Sequence, residues 1–527
     1  MNDTISTEST VNPGRLAVFG QKLVGSISKH ENLYLWLATA IFTLSNIYHA
    51  CTVPLWFDEF FTLFLSRLSS FQDMLKAMPA DGQPPLQYPL THLSMAWLGQ
   101  TEFAVRLPEL VAYLAVGLLV YRIVRLHGTA VQALFAESMV MGAYISFQAY
   151  TARPYGMLLA FTAMTFACWQ TAAIRQTQRL LPLCGVALGI AGAILSHHYG
   201  LIYVGLFVCF GETVRLMQRR KFDGPMLAAI FIGGLALGVT LPLAHKSHLL
   251  LGEAVLHSTN YFFRPKLGDL RIYLQMAPWS LLILVLVFGL LPWHKRSARQ
   301  PILGLPQVPL HAWAAVITLS LLLPIMLLTS AFATGVFASR YAIGASLGLA
   351  LLAAWGLPRL GKLRTCWPYV LSGSTLCFLL LVATHLALAQ LREPIGKARP
   401  AEQAVSKLLF DVPKGLPIVV ANGLDYAPQW WYSPAEVRGR LIYLSDLPYA
   451  VKQPEFLPEL SLAIDRSYAP LPIADYHSFI ASNSQFLLLC TGHPRFNWIS
   501  PRLSGEGWHL DVIAKSGQDV LYEVHRE

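Results

Sequence analysis

Eleven apolar stretches between residues 30 and 390 restrict the folds that are open to this chain of 527 residues. Each is long enough, or nearly so, to cross the hydrocarbon layer of a membrane as a helix, which takes about 20 residues. Only 13% of the residues are charged and the mean hydropathy is +0.48, whereas about a quarter of the residues in a soluble globular chain are charged. The sequence therefore predicts an α-helical polytopic membrane protein with spans at 32–53, 104–121, 130–149, 155–174, 180–196, 199–214, 225–244, 276–292, 309–330, 341–357 and 367–390.

Basic residues between the spans determine the predicted orientation. When the segment 84–98 is not counted as a span, every basic loop falls on one side, together with the basic residues of the N-terminal tail: Arg15, Lys22, Lys29, Arg122, Arg125, Arg175, Arg179, Arg215, Arg219, Arg220, Lys221, Lys295, Arg296, Arg299, Arg359, Lys362 and Arg364. Positively charged loops face the cytoplasm, so the N-terminus is predicted inside and the C-terminus outside. The segment 84–98 is short and partly polar, and we predict that it lies as a helix along the external surface. The net charge of +10 follows from these loops, and because no nucleic-acid-binding motif accompanies it, nucleic acid is not an expected partner.

Three regions follow from this pattern: a cytoplasmic N-terminal tail over 1–31, a membrane domain over 32–390 and an extracytoplasmic domain over 391–527. In the last region, short apolar runs at 416–421, 441–444, 485–490 and 520–524 predict strands, with a helix near 400–410 and paired strands around 516–519. Its length suits a small α/β domain. It contains no GxGxxG or Walker A sequence, so nothing predicts nucleotide binding. The seven cysteines form no paired framework and are interpreted as core residues.

An adjacent acidic pair, Asp58 and Glu59, follows the first predicted span at the external surface. Carboxylates among aromatic residues at a membrane surface are costly to desolvate, which favours a chemical role. A structural alternative is that the pair caps a helix. In an extended loop adjacent side chains diverge, so we predict that Asp58 alone is a general base. Glu59 is then an orienting group, or a ligand that would share a divalent metal ion with Asp58.

Four motifs in order resemble those of the GT-C glycosyltransferases, most closely the RgtA/B/C/D-like bacterial family, which is related to lipid A aminoarabinose transferase and protein O-mannosyltransferases. They are Asp58-Glu59; the Gly-Gln-Pro-Pro-Leu sequence at 82–86 with 99–108 after it; Thr-Ala-Arg-Pro-Tyr at 151–155; and Ser-His-His-Tyr-Gly at 196–200. Gln83 stands where the family usually has His or Lys, and Thr151 where it often has Glu, so no charged role is transferred to either.

The resemblance implies a glycosyltransferase that takes a sugar from a polyprenyl-phosphate-linked donor. The acceptor would be a hydroxyl of a lipid, glycan or protein at the external face of a bacterial inner membrane. Departure of a phosphate needs positive charge, and an arginine fork matches phosphate oxygens. The predicted donor-binding residues are Arg153, Tyr155, Arg340, Arg264, Lys266 and His197. No covalent intermediate is required, which favours single displacement with inversion.

Other interpretations of these residues remain open at this stage. Arg153 is also explained as a membrane-surface residue at a helix end, and His197 as a satisfied polar residue. Trp430, Trp431 and Tyr432 would either stack on sugar rings or pack the C-terminal domain onto the membrane domain. A transporter or flippase would also explain many spans, but it predicts inverted repeats, which the sequence does not display. A receptor or scaffold would leave the acidic pair unexplained.

Overall fold

Helices form most of the described chain up to residue 392. The computed structural model describes residues 15–257, 265–291, 307–334, 337–360, 363–395, 403–413, 415–450, 452, 457–492 and 496–526. The helices of the membrane domain are α1 Arg15–Lys29, α2 Glu31–Thr52, α3 Phe57–Ser66, α4 Phe71–Asp81, α5 Gln87–Leu98, α6 Glu102–Arg125, α7 Ala130–Met141, α8 Tyr155–Ile174, α9 Leu180–Ser196, α10 Gly200–Arg219, α11 Gly224–Gly234, α12 Leu237–His257, α13 Trp279–Leu290, α14 Leu310–Ser320, α15 Leu322–Thr329, α16 Gly344–Gly356 and α17 Leu363–Arg392. Short 3-10 helices occur at Tyr144–Tyr150, Leu267–Gln275, Ser339–Ala342 and Leu357–Arg359.

Every predicted span coincides with one of these helices or with a consecutive pair. By length and hydropathy, five helices in the described part of the chain are able to cross a membrane, and eight if each of three bent pairs counts as one span. The polytopic helical fold is therefore confirmed, while this measure supports five to eight of the eleven spans. The difference arises from helices that are short, such as α9 with 17 residues, or that contain polar residues, such as α2 with Asn46 and His49.

Two short helices, α1 and α5, precede the first two spans. The segment predicted to lie along the surface contains α5, whose 12 residues reach about 18 Å, too short for the roughly 30 Å hydrocarbon layer. Within the predicted N-terminal tail, 15–29 forms α1, which packs against α17 and α7. Polar composition concealed this helix, although Ala17, Gly20, Leu23 and Ile27, which are buried, recur at helical spacing.

Contacts between loops agree with the predicted grouping of loops into two faces. Arg179 and Arg215, from two different basic loops, both form ion pairs with Asp223, at 2.5 and 2.7 Å. At the opposite ends of the helices, the first turn of α3 meets the segments that precede α8 and α16. Small residues help to position these ends: Gly185, Gly189 and Gly192 of α9 face α8 so closely that a Cβ at any of them would collide with it.

The C-terminal region forms a six-stranded sheet covered by short helices. The strands are β1 Ile418–Val420, β2 Leu441–Ser445, β3 Ile473–Asp475, β4 Gln485–Cys490, β5 His509–Ser516 and β6 Asp519–His525. Their order is β3-β2-β1-β4-β6-β5; the first four are parallel, and β6 pairs antiparallel with β4 and β5. The helices are α18 Gly423–Tyr432, α19 Ala435–Arg438, α20 Leu447–Ala450, α21 Leu457–Asp465, α22 Tyr476–Ser482 and α23 Ile499–Gly505, after a 3-10 helix at Lys407–Phe410.

This sheet confirms the predicted small α/β domain, with one strand, β3, that was not predicted. Strand β3 has only three residues. Strand β5 is mostly exposed and therefore lacks the apolar run that marks a buried strand. The predicted paired strands around 516–519 are the β5–β6 hairpin, with Gly517 at φ +61° in its turn.

Candidate active site

The acidic pair lies in the first turn of α3 and not in an extended loop. Successive side chains on a helix point about 100° apart, so the two carboxylates still diverge. The Asp58 side chain retains 18% of its exposure, whereas Glu59 is fully buried. One Glu59 oxygen accepts the backbone N–H of Trp56 at 3.1 Å and so caps α3. The capping interpretation therefore holds for Glu59, whereas the Asp58 carboxylate is partly exposed and does not cap the helix.

Glu59 forms a buried ion pair with Arg106 of α6. Arg106 Nε and Nη2 donate to the two Glu59 oxygens at 2.7 and 2.6 Å. The remaining Arg106 donors bind the carbonyl oxygens of Ala50, Val53 and Pro54 at 2.7–3.1 Å. The pair therefore fixes the end of α2 and the start of α3, and with them the position of Asp58.

The predicted metal-ligand role does not fit Glu59. Besides Arg106 and Trp56, its Oε1 accepts the backbone N–H of Ala152 at 2.7 Å, so protein donors already bind both oxygens. Within the described ranges, no group of three or more His, Cys, Asp or Glu side chains is arranged to hold a metal ion. This geometry favours a role for Glu59 in positioning the first turn of α3.

Asp58 faces Arg340, which lies in the 3-10 turn before α16. Arg340 Nη2 donates to Asp58 Oδ2 at 3.0 Å, and its Nε donates to the Tyr155 hydroxyl at 2.9 Å. Three aromatic rings, those of Trp56, Tyr155 and Tyr341, lie 5.7–5.9 Å from the guanidinium carbon, where cation–π attraction acts. Burial opposes the charge of Arg340, but Tyr155 and Asp58 outweigh that effect and raise its pKa above the usual value.

Arg153 is brought to the same site but is already paired. Its Nη1 donates to both oxygens of Asp81 at 2.9 Å and to the backbone carbonyl of Asp58 at 3.2 Å, and the residue is only 5% exposed. The Tyr88 hydroxyl donates to Asp81 as well. Burial opposes the charge of Arg153, yet Asp81 and Asp58 hold its pKa well above the usual value. This geometry favours positioning of the Asp58 backbone over the predicted direct phosphate contact.

His197 follows α9 and lies among the rings of Tyr155, Tyr199 and Tyr341, with centroids 5.2–5.8 Å apart. Its Nδ1 accepts the backbone N–H of Tyr199 at 3.1 Å, so in the neutral ring the proton is on Nε2. That Nε2 is buried and has no hydrogen-bond partner among the described residues. Burial, followed by His198, Arg153 and Arg340, lowers the pKa of His197 well below its usual value. At neutral pH it is therefore an uncharged hydrogen-bond donor.

One predicted donor-binding residue, Lys266, is not brought to this site. Arg264 lies outside the described residues. Lys266 is exposed at the start of the 3-10 helix Leu267–Gln275, where its backbone N–H binds Asp269, and no contact in the described part of the chain joins it to Asp58 or Arg340.

Three residues that hold the site together were not predicted. Asp81 directly precedes the Gly-Gln-Pro-Pro sequence, and Arg106 lies within the motif at 99–108, but neither was predicted to have a role in the site. Glu109, one turn after Arg106, accepts the Met157 backbone N–H at 3.0 Å and caps α8. Gly156 makes this approach possible, since a Cβ there would lie 2.5 Å from the Glu109 carboxylate. Helix α6 therefore positions both α3 and α8.

The C-terminal domain packs against α3 through α18. The Tyr432 hydroxyl donates to Glu102 at 2.8 Å and accepts the Leu55 backbone N–H at 2.9 Å. The Trp431 ring contacts Phe60 and Phe64, with centroids 6.1 and 6.3 Å apart. Of the two predicted roles for this aromatic segment, packing onto the membrane domain is therefore the one observed for Trp431 and Tyr432.

Replacing Tyr432 with Phe is expected to lower the free energy of unfolding by ~1–3 kcal/mol, because Leu55 N–H and Glu102 both lose a partner. Thermal unfolding of the purified protein in detergent would measure this. Tyr522→Phe is the matched control, since no hydrogen bond of its hydroxyl is found in the described chain. Equal melting temperatures for the two variants would contradict a docking role for Tyr432.

Comparison with known structures agrees with this architecture. The chain is similar to ArnT from Cupriavidus metallidurans, bound to undecaprenyl phosphate or in the apo state. Each match has a TM-score of 0.58 and 13% identity and covers 94% of this chain and 98% of that chain. A weaker similarity joins it to the Archaeoglobus fulgidus oligosaccharyltransferase, with a TM-score of 0.41, 10% identity and coverage of 88% and 69%. No curated protein matches the sequence.

The chain is therefore a multi-pass membrane protein with the GT-C fold. Residues 82–242, which carry three of the four motifs, match the protein-family model described as dolichyl-phosphate-mannose-protein mannosyltransferase. The resemblance found in the motifs is thereby confirmed.

Proposed function

We propose that this protein transfers a sugar from a polyprenyl-phosphate donor to an acceptor hydroxyl by single displacement with inversion. The observation that carries the proposal is the partly exposed Asp58 carboxylate, 3.0 Å from the guanidinium of Arg340, which three aromatic rings surround. The similar proteins support the donor class: one is bound to undecaprenyl phosphate, and the matching family model is named for dolichyl-phosphate-mannose.

In the proposed reaction, Asp58 accepts the proton of the acceptor hydroxyl as its oxygen attacks the anomeric carbon. The bond from that carbon to the phosphate oxygen breaks at the same time, and the phosphate departs with the electron pair. Arg340 and the Nε2–H of His197 would donate to the phosphate oxygens and stabilise the developing charge. Glu59, Arg106 and Arg153 keep Asp58 in place and take no part in bond exchange.

The proposed location is the external face of a bacterial inner membrane. The basic loops support this orientation, and the residues of the site come from loops on the other side. The acceptor would be a lipid, glycan or protein hydroxyl in the cell envelope.

Turnover of defined donors tests the proposal. The full chain in lipid nanodiscs would be incubated with a panel of radiolabelled polyprenyl-phosphate sugars and an envelope extract as acceptor. Release of free polyprenyl phosphate, with transfer of the label to the extract, is the expected result. Binding of polyprenyl phosphates without consumption of any sugar donor, across the panel, would contradict a transferase.

Arg340→Ala is expected to lower kcat/KM about 10²- to 10³-fold, the range for removing a preorganised charge donor. Arg340→Lys keeps the charge but loses the fork that binds Asp58 and Tyr155 together, so it should restore only part of the activity. Initial rates with one donor from the panel would measure both. The control is Arg175→Ala, which removes an exposed arginine at the other end of α8; a similar loss in this variant would rule out a specific role for Arg340.

A further inference from the structure

The C-terminal domain contains a cavity of about 470 Å³ that the proposed reaction does not use. It opens at the carboxyl ends of β2 and β3, whose last residues, Ser445 and Asp475, line it. Its volume lies within the range of small-molecule sites. Its principal charged and aromatic lining residues are Asp446, Tyr449, Lys452, Arg466, His477 and Arg502.

One wall of the cavity is held rigidly by Arg502. Its guanidinium carbon lies 4.2 Å from the Tyr449 ring centroid and 3.9 Å from that of Tyr476. It also forms an ion pair with Asp446 at 2.5 Å. The other carboxylate of the lining, Asp475, accepts two hydrogen bonds from Ser478 at 2.8 Å. Arg502 therefore neutralises Asp446, and Asp475 is outnumbered among the lining residues by Lys452 and Arg466.

The remaining charge at the cavity is positive. Lys452 and Arg466 are exposed, and no hydrogen bond or ion pair in the described part of the chain engages either side chain. The His477 side chain, which is 67% exposed, lies with its Nε2 3.3 Å from Asp446 Oδ2. An exposed ammonium and an exposed guanidinium that line one cavity suit a carboxylate or phosphate.

Helix packing links the wall of the cavity to the membrane site through α4. Arg466 directly follows α21, which packs against α4, and nearby Tyr468 packs against the cluster of Leu65, Met74, Met78 and Tyr88. Helix α4 ends at Asp81, the partner of Arg153. A ligand in the cavity would therefore lie next to α21, which packs against α4, the helix that ends at the partner of Arg153.

We propose that this cavity binds an anionic group of the acceptor, either the carboxylate of an acidic sugar or a phosphate ester, away from the hydroxyl that receives the sugar. The statement that this anionic group belongs to an acceptor rests on the proposed function. The binding itself does not depend on turnover, and the two are tested separately.

Calorimetric titration of the full chain in phosphatidylcholine nanodiscs would use D-glucuronate, glucose 6-phosphate and D-glucose as probes. At least one anion should bind tenfold or more tightly than glucose. The anion that binds more tightly shows whether the cavity prefers a carboxylate or a phosphate ester. The Lys452→Ala/Arg466→Ala double variant should weaken that binding at least tenfold. Lys407→Ala/Lys515→Ala removes two exposed lysines elsewhere in the domain and should leave it unchanged.

Three outcomes would overturn the proposal: no preference for either anion over glucose, an unchanged affinity in the Lys452/Arg466 variant, or an equal loss in the Lys407/Lys515 variant. Arg340→Ala separates this cavity from the membrane site, because loss of anion binding in that variant would locate the anion at Arg340. Donor turnover in the same preparations reports on the proposed function independently, so either idea can fail while the other stands.

Discussion

Asp58→Asn should lower the rate of sugar transfer about 10²- to 10⁴-fold, because the amide cannot accept the proton of the attacking hydroxyl. The substitution preserves size, and the Asn oxygen is still able to accept the 3.0 Å hydrogen bond from Arg340. Folding and binding of polyprenyl phosphate are therefore expected to change little. Transfer rates with the active donor, together with lipid binding by native mass spectrometry, would measure both quantities.

The control for this experiment is Asp511→Asn, which removes an exposed carboxylate from β5. It should have wild-type turnover. If Asp58→Asn also retained wild-type turnover at an unchanged melting temperature, Asp58 would not be the base. If it lost donor binding together with turnover, its carboxylate would contribute to binding the donor.

Arg106→Met should have the largest effect on stability, about 3–5 kcal/mol, because it leaves the Glu59 carboxylate buried without its partner. The variant also removes the donors to three backbone carbonyls at the end of α2. The fraction of this variant that folds should have reduced turnover, because movement of Glu59 would also displace Asp58 on the same turn of α3. Thermal unfolding in detergent and the yield of monodisperse protein would measure the loss of stability.

A double variant tests the cause of this loss. Arg106→Met combined with Glu59→Gln removes both charges, and replacing both partners of a buried pair costs less than removing one. The double variant should therefore unfold at a higher temperature than Arg106→Met alone. A double variant less stable than either single variant would show that the ion pair is not the source of the effect.

The sequence alone determined the features that depend on local pattern. The positions of the membrane helices follow from runs of apolar residues, and the strands β1, β2, β4 and β6 follow from short apolar runs between turn residues. The motifs also identified the segments that meet at the site. The charges of the loops predicted that these segments lie on one face. Helix α3 was the exception: the acidic pair was expected in a loop, since its helix is short and packs between other elements.

Only the tertiary structure decided which side chains are partners. Glu59 and Arg106 are 47 positions apart, Arg153 and Asp81 are 72 apart, and Asp58 and Arg340 are 282 apart. Each pair forms because packing of α3, α4, α6, α8 and α16 brings their ends together, and no local pattern encodes that distance. For this reason two carboxylates that are adjacent in sequence differ in role. Glu59 points inward and is neutralised by a buried arginine, while Asp58, one residue earlier and about 100° around the helix, faces the site.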